Sequence, residues 1–92
     1  MQKIRWGILG CGRIARKFAS DLSLVPDTEL VAVGSRNKES ADQFVSEFNA
    51  RFVHYSYEEL VQNTEVDVIY IATPHGLHHQ HALLCLRHHK PV

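Results

Sequence analysis

The chain has little cysteine, no surplus charge and no long apolar run, and each shortage excludes something. Two cysteines, Cys11 and Cys85, in 92 residues are too few for a disulfide-built scaffold and fit a reducing compartment. Ten basic and ten acidic residues cancel, so the chain lacks the cationic surface that general nucleic-acid and membrane-surface binders use. Neither partner is expected, although seven histidines would add positive charge in mild acid. No apolar run reaches the roughly 18 residues of a membrane span. Met1-Gln2-Lys3-Ile4-Arg5 leads straight into an apolar segment and does not read as a signal peptide. A cytoplasmic protein is the expectation. Only three prolines and five glycines are scattered along the chain, with no linker, repeat or low-complexity segment. At this length a single domain is expected, burying about 60–65% of its unfolded surface.

What is present is a regular alternation. Residues 3–9 read as a first strand. Ile14, Phe18 and Leu22, with Ala15 and Ala19 beside them, form one face of a helix that ends at Pro26. Residues 29–34 form a second strand. Asn37 is placed to cap a second helix with core positions Ala41, Phe44, Val45 and Phe48. Residues 51–55 make a short third strand, and Ser56-Tyr57-Glu58-Glu59 has the form of a capping box before Leu60 and Val61. Residues 66–72 form a fourth strand, apolar enough to be covered on both faces. A fourth helix runs from Leu77 to about His88, and Lys90-Pro91-Val92 reads as the entry to a fifth strand. The fold class is α/β, a doubly wound parallel Rossmann sheet in order 3-2-1-4, ending after the fourth helix. The switch point then lies between strands 1 and 4.

At that switch point stands Gly10-Cys11-Gly12-Arg13-Ile14-Ala15. This is G-x-G-x-x-A between strand and helix. Gly10 permits the tight turn, Gly12 leaves room for a pyrophosphate, and Ala15 permits close packing of helix on strand. The free N–H groups and the positive helix end favour an anion. The competing reading is a structural glycine turn. Twenty residues on, where an NAD-preferring domain places Asp or Glu, the chain has Ser35-Arg36-Asn37-Lys38. A carboxylate would repel a 2′-phosphate, whereas a hydroxyl and a guanidinium bind it. NADP is therefore expected, with NAD the second choice. The competing reading makes Arg36 a solvated surface residue.

Other residues admit two readings as well. His78, His81, Cys85 and His88 share one helical stripe, a spacing compatible with zinc. Ala82, Cys85 and Leu86 are also the positions expected to face the sheet, and a buried cysteine acts as a small hydrophobe. The packing reading is preferred and no metal is expected. His79, His88 and His89 read as solvent-facing. Cys11 sits where a helix N-terminus lowers a thiol pKa, but a small residue in a phosphate loop explains it more simply. Asp67 has no evident partner.

Thr73-Pro74-His75-Gly76-Leu77-His78 closes the fourth strand and completes a resemblance. Together with residues 5–15, Ser35-Arg36-Asn37, Ser56-Tyr57-Glu58-Glu59-Leu60 and Ala72-Thr73-Pro74 with His78, the chain resembles the N-terminal domain of the glucose–fructose oxidoreductase/inositol dehydrogenase (Gfo/Idh/MocA) family. It is most similar to the branch of NADP-dependent dihydrodiol and xylose dehydrogenases. The resemblance implies hydride transfer between a nicotinamide and a carbinol carbon of a sugar, cyclitol or diol. It implies that Thr73, Pro74 and His75 lie along the nicotinamide ribose, with His78 near the nicotinamide. His75 stands where the family more often has Asn.

It also implies that the family's catalytic lysine, in a Glu-Lys-Pro motif, falls beyond Val92, together with the substrate domain. No catalytic residue is then expected in this chain, which alone should not turn over. The expectation is an NADP-binding domain of an oxidoreductase. The alternatives are a non-catalytic dinucleotide-binding regulatory module and a His-rich metal-binding domain. An uncovered edge on strand 66–72 leads to an expectation of self-association there.

Overall fold

Apolar runs and amphipathic stretches resolve into β1 (Ile4–Leu9), α1 (Arg13–Leu22), β2 (Thr28–Gly34), α2 (Lys38–Phe48), β3 (Phe52–His54), α3 (Tyr57–Val61), β4 (Val68–Ile71), a 3-10 turn (His75–Leu77) and α4 (His78–Arg87). The computed structural model describes residues 3–73 and 75–92, except for the side chain of His75. The expectations placed on Pro74 and on the His75 side chain therefore lie outside the described residues. All strand pairs are parallel and the order is β3-β2-β1-β4, as the alternation predicts.

Successive strand residues face opposite sides, and the sheet accordingly has two cores. Ile8 and Val33 meet Ala15 and Ala19 of α1 and Phe44 of α2 on one side. Leu9, Val31 and Ile69 meet Leu60 and Val61 of α3 and Cys85 of α4 on the other. Each fully buried large apolar side chain contributes about 1.5–3 kcal/mol. Leu60 sits directly over Gly34, where a Cβ would lie 3.0 Å from it, and this close seat fixes α3 against the end of β2.

Helix ends follow their local chemistry. Asn37 Oδ1 accepts the Ser40 N–H at 3.0 Å and Ser56 Oγ accepts the Glu59 N–H at 3.2 Å. Helix α2 stops at Asn49, which adopts the left-handed conformation, φ 59°, that asparagine tolerates. Helix α4 stops in a Schellman turn. His89 lies at φ 60°, and the His89 and Lys90 N–H groups donate to the carbonyls of Leu86 and Cys85. The turn aims the tail at β4, where the Ile69 N–H donates to the Pro91 carbonyl and Lys90 Nζ to that of Val66. The C-terminal residues thus occupy part of the outer edge of β4.

Several expectations change. Ile14 was placed on the buried face of α1 but is 61% exposed; Ala15, Ala19 and Leu22 are the residues buried there, because the helix rotates its small side chains onto the sheet for close approach. Strand β4 is shorter than expected. Asp67 precedes it and pairs with Arg5: the Arg5 Nη2 and Nε donate to the carboxylate at 2.9 and 3.1 Å, and the Arg5 main-chain N–H at 2.9 Å. Only Ile69 of β4 is fully buried, so the strand is not covered on both faces throughout. On that strand Tyr70 stacks on Phe18 at 3.9 Å, and Phe18 meets the edge of Trp6 at 5.1 Å. Helix α4 turns His81 and Cys85 inward while Leu86 is exposed, so the sheet-facing stripe contains a histidine and omits a leucine.

Candidate dinucleotide-binding site

The sequence that follows β1 cannot continue as a strand, because Gly10 turns at φ +107°. Its N–H donates to the Gly34 carbonyl at 2.7 Å. A Cβ there would lie 3.1 Å from the Ala72 carbonyl oxygen and 3.2 Å from Thr73 Cγ2. Gly10 is thus wedged between the ends of β2 and β4, and only a glycine fits that turn without strain. Gly12 differs. Its φ is −83°, which any residue adopts, yet a Cβ there would meet nothing within 4 Å. The space is open on the side of the loop where an anion would approach.

Gly12 also opens α1, and the helix start lacks what those of α2 and α3 have. Helices α2 and α3 carry a side-chain cap and glutamates in the first turn, whereas α1 has neither. Its first N–H groups are therefore uncapped by any side chain, with no carboxylate in the first turn to oppose an anion. Around this start lies a cleft of about 520 Å³ lined by Gly10, Cys11, Gly12, Arg13, Ile14, Ser35, Tyr57, Ala72 and Thr73. The exposure of Ile14 puts it at the cleft wall, while Ala15 is fully buried behind it.

Cys11 is half-buried, and burial raises its thiol pKa despite a hydrogen bond with Ser35 and the nearby charge of Arg16. The helix start does not activate it. Ser35 is itself buried and its Oγ accepts the Asn37 N–H at 3.1 Å. Asn37 caps α2, and Lys38 sits 5.5 Å from the Tyr55 ring centre; neither lines the cleft. Arg36 is exposed, and its guanidinium lies 5.3 Å over the ring of Tyr57. A second cavity, of about 260 Å³, opens between α3 and α4 and is bounded by Arg36, Tyr57, Gln80, His81 and Arg87 among others. Tyr57 lines both hollows and joins them.

At the end of β4 the Thr73 carbonyl accepts from His78 Nε2 at 2.5 Å, and Thr73 Oγ1 meets His81 Nδ1 at 2.7 Å. The histidine stripe is thereby divided. His78 and His81 serve Thr73 and Cys85 packs in the core. Among the described residues no three His, Cys, Asp or Glu are grouped to hold a metal. No helix there is long and apolar enough to cross a membrane. The sequence reading gave Tyr57 only a place in a capping box and His81 only a place in the histidine stripe, whereas Tyr57 lines the cleft and His81 the cavity beside it. An aromatic directly after a helix cap and a histidine one turn before a buried cysteine were the available signals.

A glycine loop at the switch point of a 3-2-1-4 parallel sheet, opening an uncapped helix, is the architecture of a nucleotide-binding domain. The profile of the oxidoreductase family with an NAD-binding Rossmann fold, Gfo/Idh/MocA, matches residues 4–92. The chain belongs to this family. It is 43% identical over 91 residues to the trans-1,2-dihydrobenzene-1,2-diol dehydrogenase of Mus musculus, covering 97% of this chain and 27% of that protein. It is 36% identical over 101 residues to the D-xylose 1-dehydrogenase (NADP(+)) of Hypocrea jecorina, covering 97% and 26%. Among solved structures it superimposes on scyllo-inositol dehydrogenase from Lactobacillus casei with bound NAD(H) and scyllo-inositol. The TM-score is 0.87 at 26% identity, over 97% of this chain and 26% of that one. The chain thus spans about a quarter of the length of these relatives and constitutes an NAD(P)-binding Rossmann domain.

Proposed function

We propose that this domain binds NADP(H), and that the whole protein transfers hydride between the nicotinamide and a carbinol carbon of a sugar, cyclitol or diol. The observation that carries the cofactor choice is the end of β2. Ser35-Arg36-Asn37-Lys38 contains no carboxylate, and Arg36 is held over Tyr57 beside the glycine loop. The relatives include both an NADP(+)-named and an NAD(H)-bound enzyme, so the choice rests on this chain's own residues. A guanidinium there pairs with a 2′-phosphate, and no acidic group competes for ribose hydroxyls.

In this reading the N–H groups of Gly12, Arg13 and Ile14 receive the pyrophosphate. Cys11 and Ala15 keep the loop and helix close. Arg36, with Lys38 nearby, takes the 2′-phosphate, and Ser35 and Asn37 shape the turn that presents Arg36. Thr73, Pro74, His75 and His78 border the nicotinamide half. The bound nicotinamide supplies or accepts the hydride; the residues present here bind and orient it. A cytoplasmic location belongs to the same proposal, as does self-association through the part of the β4 edge that the tail leaves open.

Calorimetric titration with NADP and NAD tests the cofactor choice. Arg36→Ala is expected to weaken NADP by about 1.5–3 kcal/mol, the size of a lost charge-assisted hydrogen bond, and to leave NAD nearly unchanged. A wild type that prefers NAD, or a variant that loses both equally, removes Arg36 from this role.

A further inference from the structure

Three polar side chains are buried among the described residues, Ser35, Thr73 and His81, and all lie toward the carboxyl end of the sheet. Ser35 and Thr73 follow β2 and β4 there. His81 is one turn inside α4, where a leucine or alanine would pack without cost. A buried imidazole is costly unless its nitrogens are bonded. Here Nδ1 meets Thr73 Oγ1 at 2.7 Å, and the ring meets Tyr57 edge-on at 4.7 Å and 65°. Burial lowers the His81 pKa, and the charges of Arg36 and His78 push it the same way, so the ring is neutral at physiological pH.

Each contact leads to one end of the cleft. With Oγ1 tied back to His81, the Thr73 methyl is turned toward the loop, 3.2 Å from where a Cβ on Gly10 would stand. On the other side, the Tyr57 ring that abuts His81 carries the Arg36 guanidinium at 5.3 Å. We infer that His81 is a positioning residue for the cofactor cleft: one buried imidazole sets both the Thr73 hydroxyl beyond β4 and, through Tyr57, the Arg36 guanidinium beyond β2. The inference rests on the dinucleotide reading above. His81 lines only the neighbouring cavity between α3 and α4, so it acts through the residues it holds.

The test is fluorescence titration of wild type, His81→Phe and His81→Asn with NADPH and with NADH. His81→Phe keeps the ring against Tyr57 but removes the partner of Thr73. NADPH binding should weaken by about threefold to tenfold, the worth of one neutral hydrogen bond. His81→Asn places an amide atom near the Nδ1 position and should restore affinity to within about twofold of wild type. Tyr57→Leu should lower the preference for NADPH over NADH, because Arg36 loses its support, while general loosening would weaken both alike. If His81→Phe does not fold, His81→Gln replaces it; its amide lies one methylene too far and must show the loss that His81→Asn recovers. Wild-type affinity in His81→Phe or His81→Gln, or no recovery in His81→Asn, overturns the inference alone. A wild type that binds neither dinucleotide overturns the cofactor reading and this inference with it.

Discussion

Two glycines separated by a single residue should respond to alanine differently, one mainly in stability and the other mainly in binding. At Gly10 the backbone is left-handed, φ +107°, and an L-residue held in that region costs about 1–2 kcal/mol. The new Cβ would also press on the Ala72 carbonyl at 3.1 Å, a main-chain neighbour that cannot rotate away. A domain of this size loses about 4–8 °C of Tm per kcal/mol, so Gly10→Ala should melt about 4–16 °C below wild type. At Gly12 the backbone is ordinary and the Cβ meets no protein atom within 4 Å. Glycine is a better helix N-cap than alanine by about 0.5–1 kcal/mol, so Gly12→Ala should melt only about 2–8 °C below wild type, the smaller of the two losses. Its affinity for NADPH should nevertheless fall on the order of tenfold or more, because the methyl occupies the pyrophosphate's approach. Circular dichroism melts and calorimetry on the same samples separate the two effects. A Gly12→Ala variant with undiminished affinity, or a Gly10→Ala variant as stable as wild type, refutes this account of the loop.

His89→Gly should stabilise the protein by about 0.5–1 kcal/mol, since it relieves a left-handed histidine at a Schellman turn; an unchanged or lower urea midpoint contradicts it. The Arg5 guanidinium, followed by the Arg5 main-chain N–H, holds the Asp67 carboxyl below its ordinary range. A depressed folded pKa contributes stability above the unfolded value and loses it as pH falls through the folded one. Asp67→Asn should therefore lower the urea midpoint near neutrality, with the deficit closing in acid; a deficit independent of pH would assign the effect elsewhere. Cys85 is fully buried and its thiol is pushed up to about 11. It should resist a thiol-specific reagent in native protein and react at the rate of unfolding; fast native labelling would show that α4 opens.

The elements with the strongest local signals were legible from residues alone. Asn37 and Ser56 cap the helices whose sequences predict those caps, and Ala41 and Phe44 form the buried face that their spacing announces. The G-x-G-x-x-A loop could be placed because strand, turn and helix each signal locally. What was missed depends on neighbours distant in the chain. Ile14 fits the apolar period of α1, but Ala15 and Ala19 are the residues buried against the sheet, so the helix rolls Ile14 outward. Asp67 finds Arg5 sixty-two residues away, a separation that no local pattern encodes. His81 stood out only as part of a stripe with His78, Cys85 and His88, because nothing local in the sequence shows that Thr73 and Tyr57 arrive to make a buried imidazole tolerable.

The aromatic triad beside β1 makes the protein its own optical instrument. Trp6 is the sole tryptophan, shielded by Phe18 at 5.1 Å, and its indole N–H is buried with no hydrogen-bond partner among the described residues. Four residues along the same strand lie about 13 Å away, so the glycine loop is well inside the reach of dipolar energy transfer. Reduced nicotinamide absorbs tryptophan emission and oxidised nicotinamide does not. An unlabelled sample should therefore dim when the reduced cofactor enters and stay bright with the oxidised one, distinguishing the two electron states of the ligand by brightness alone.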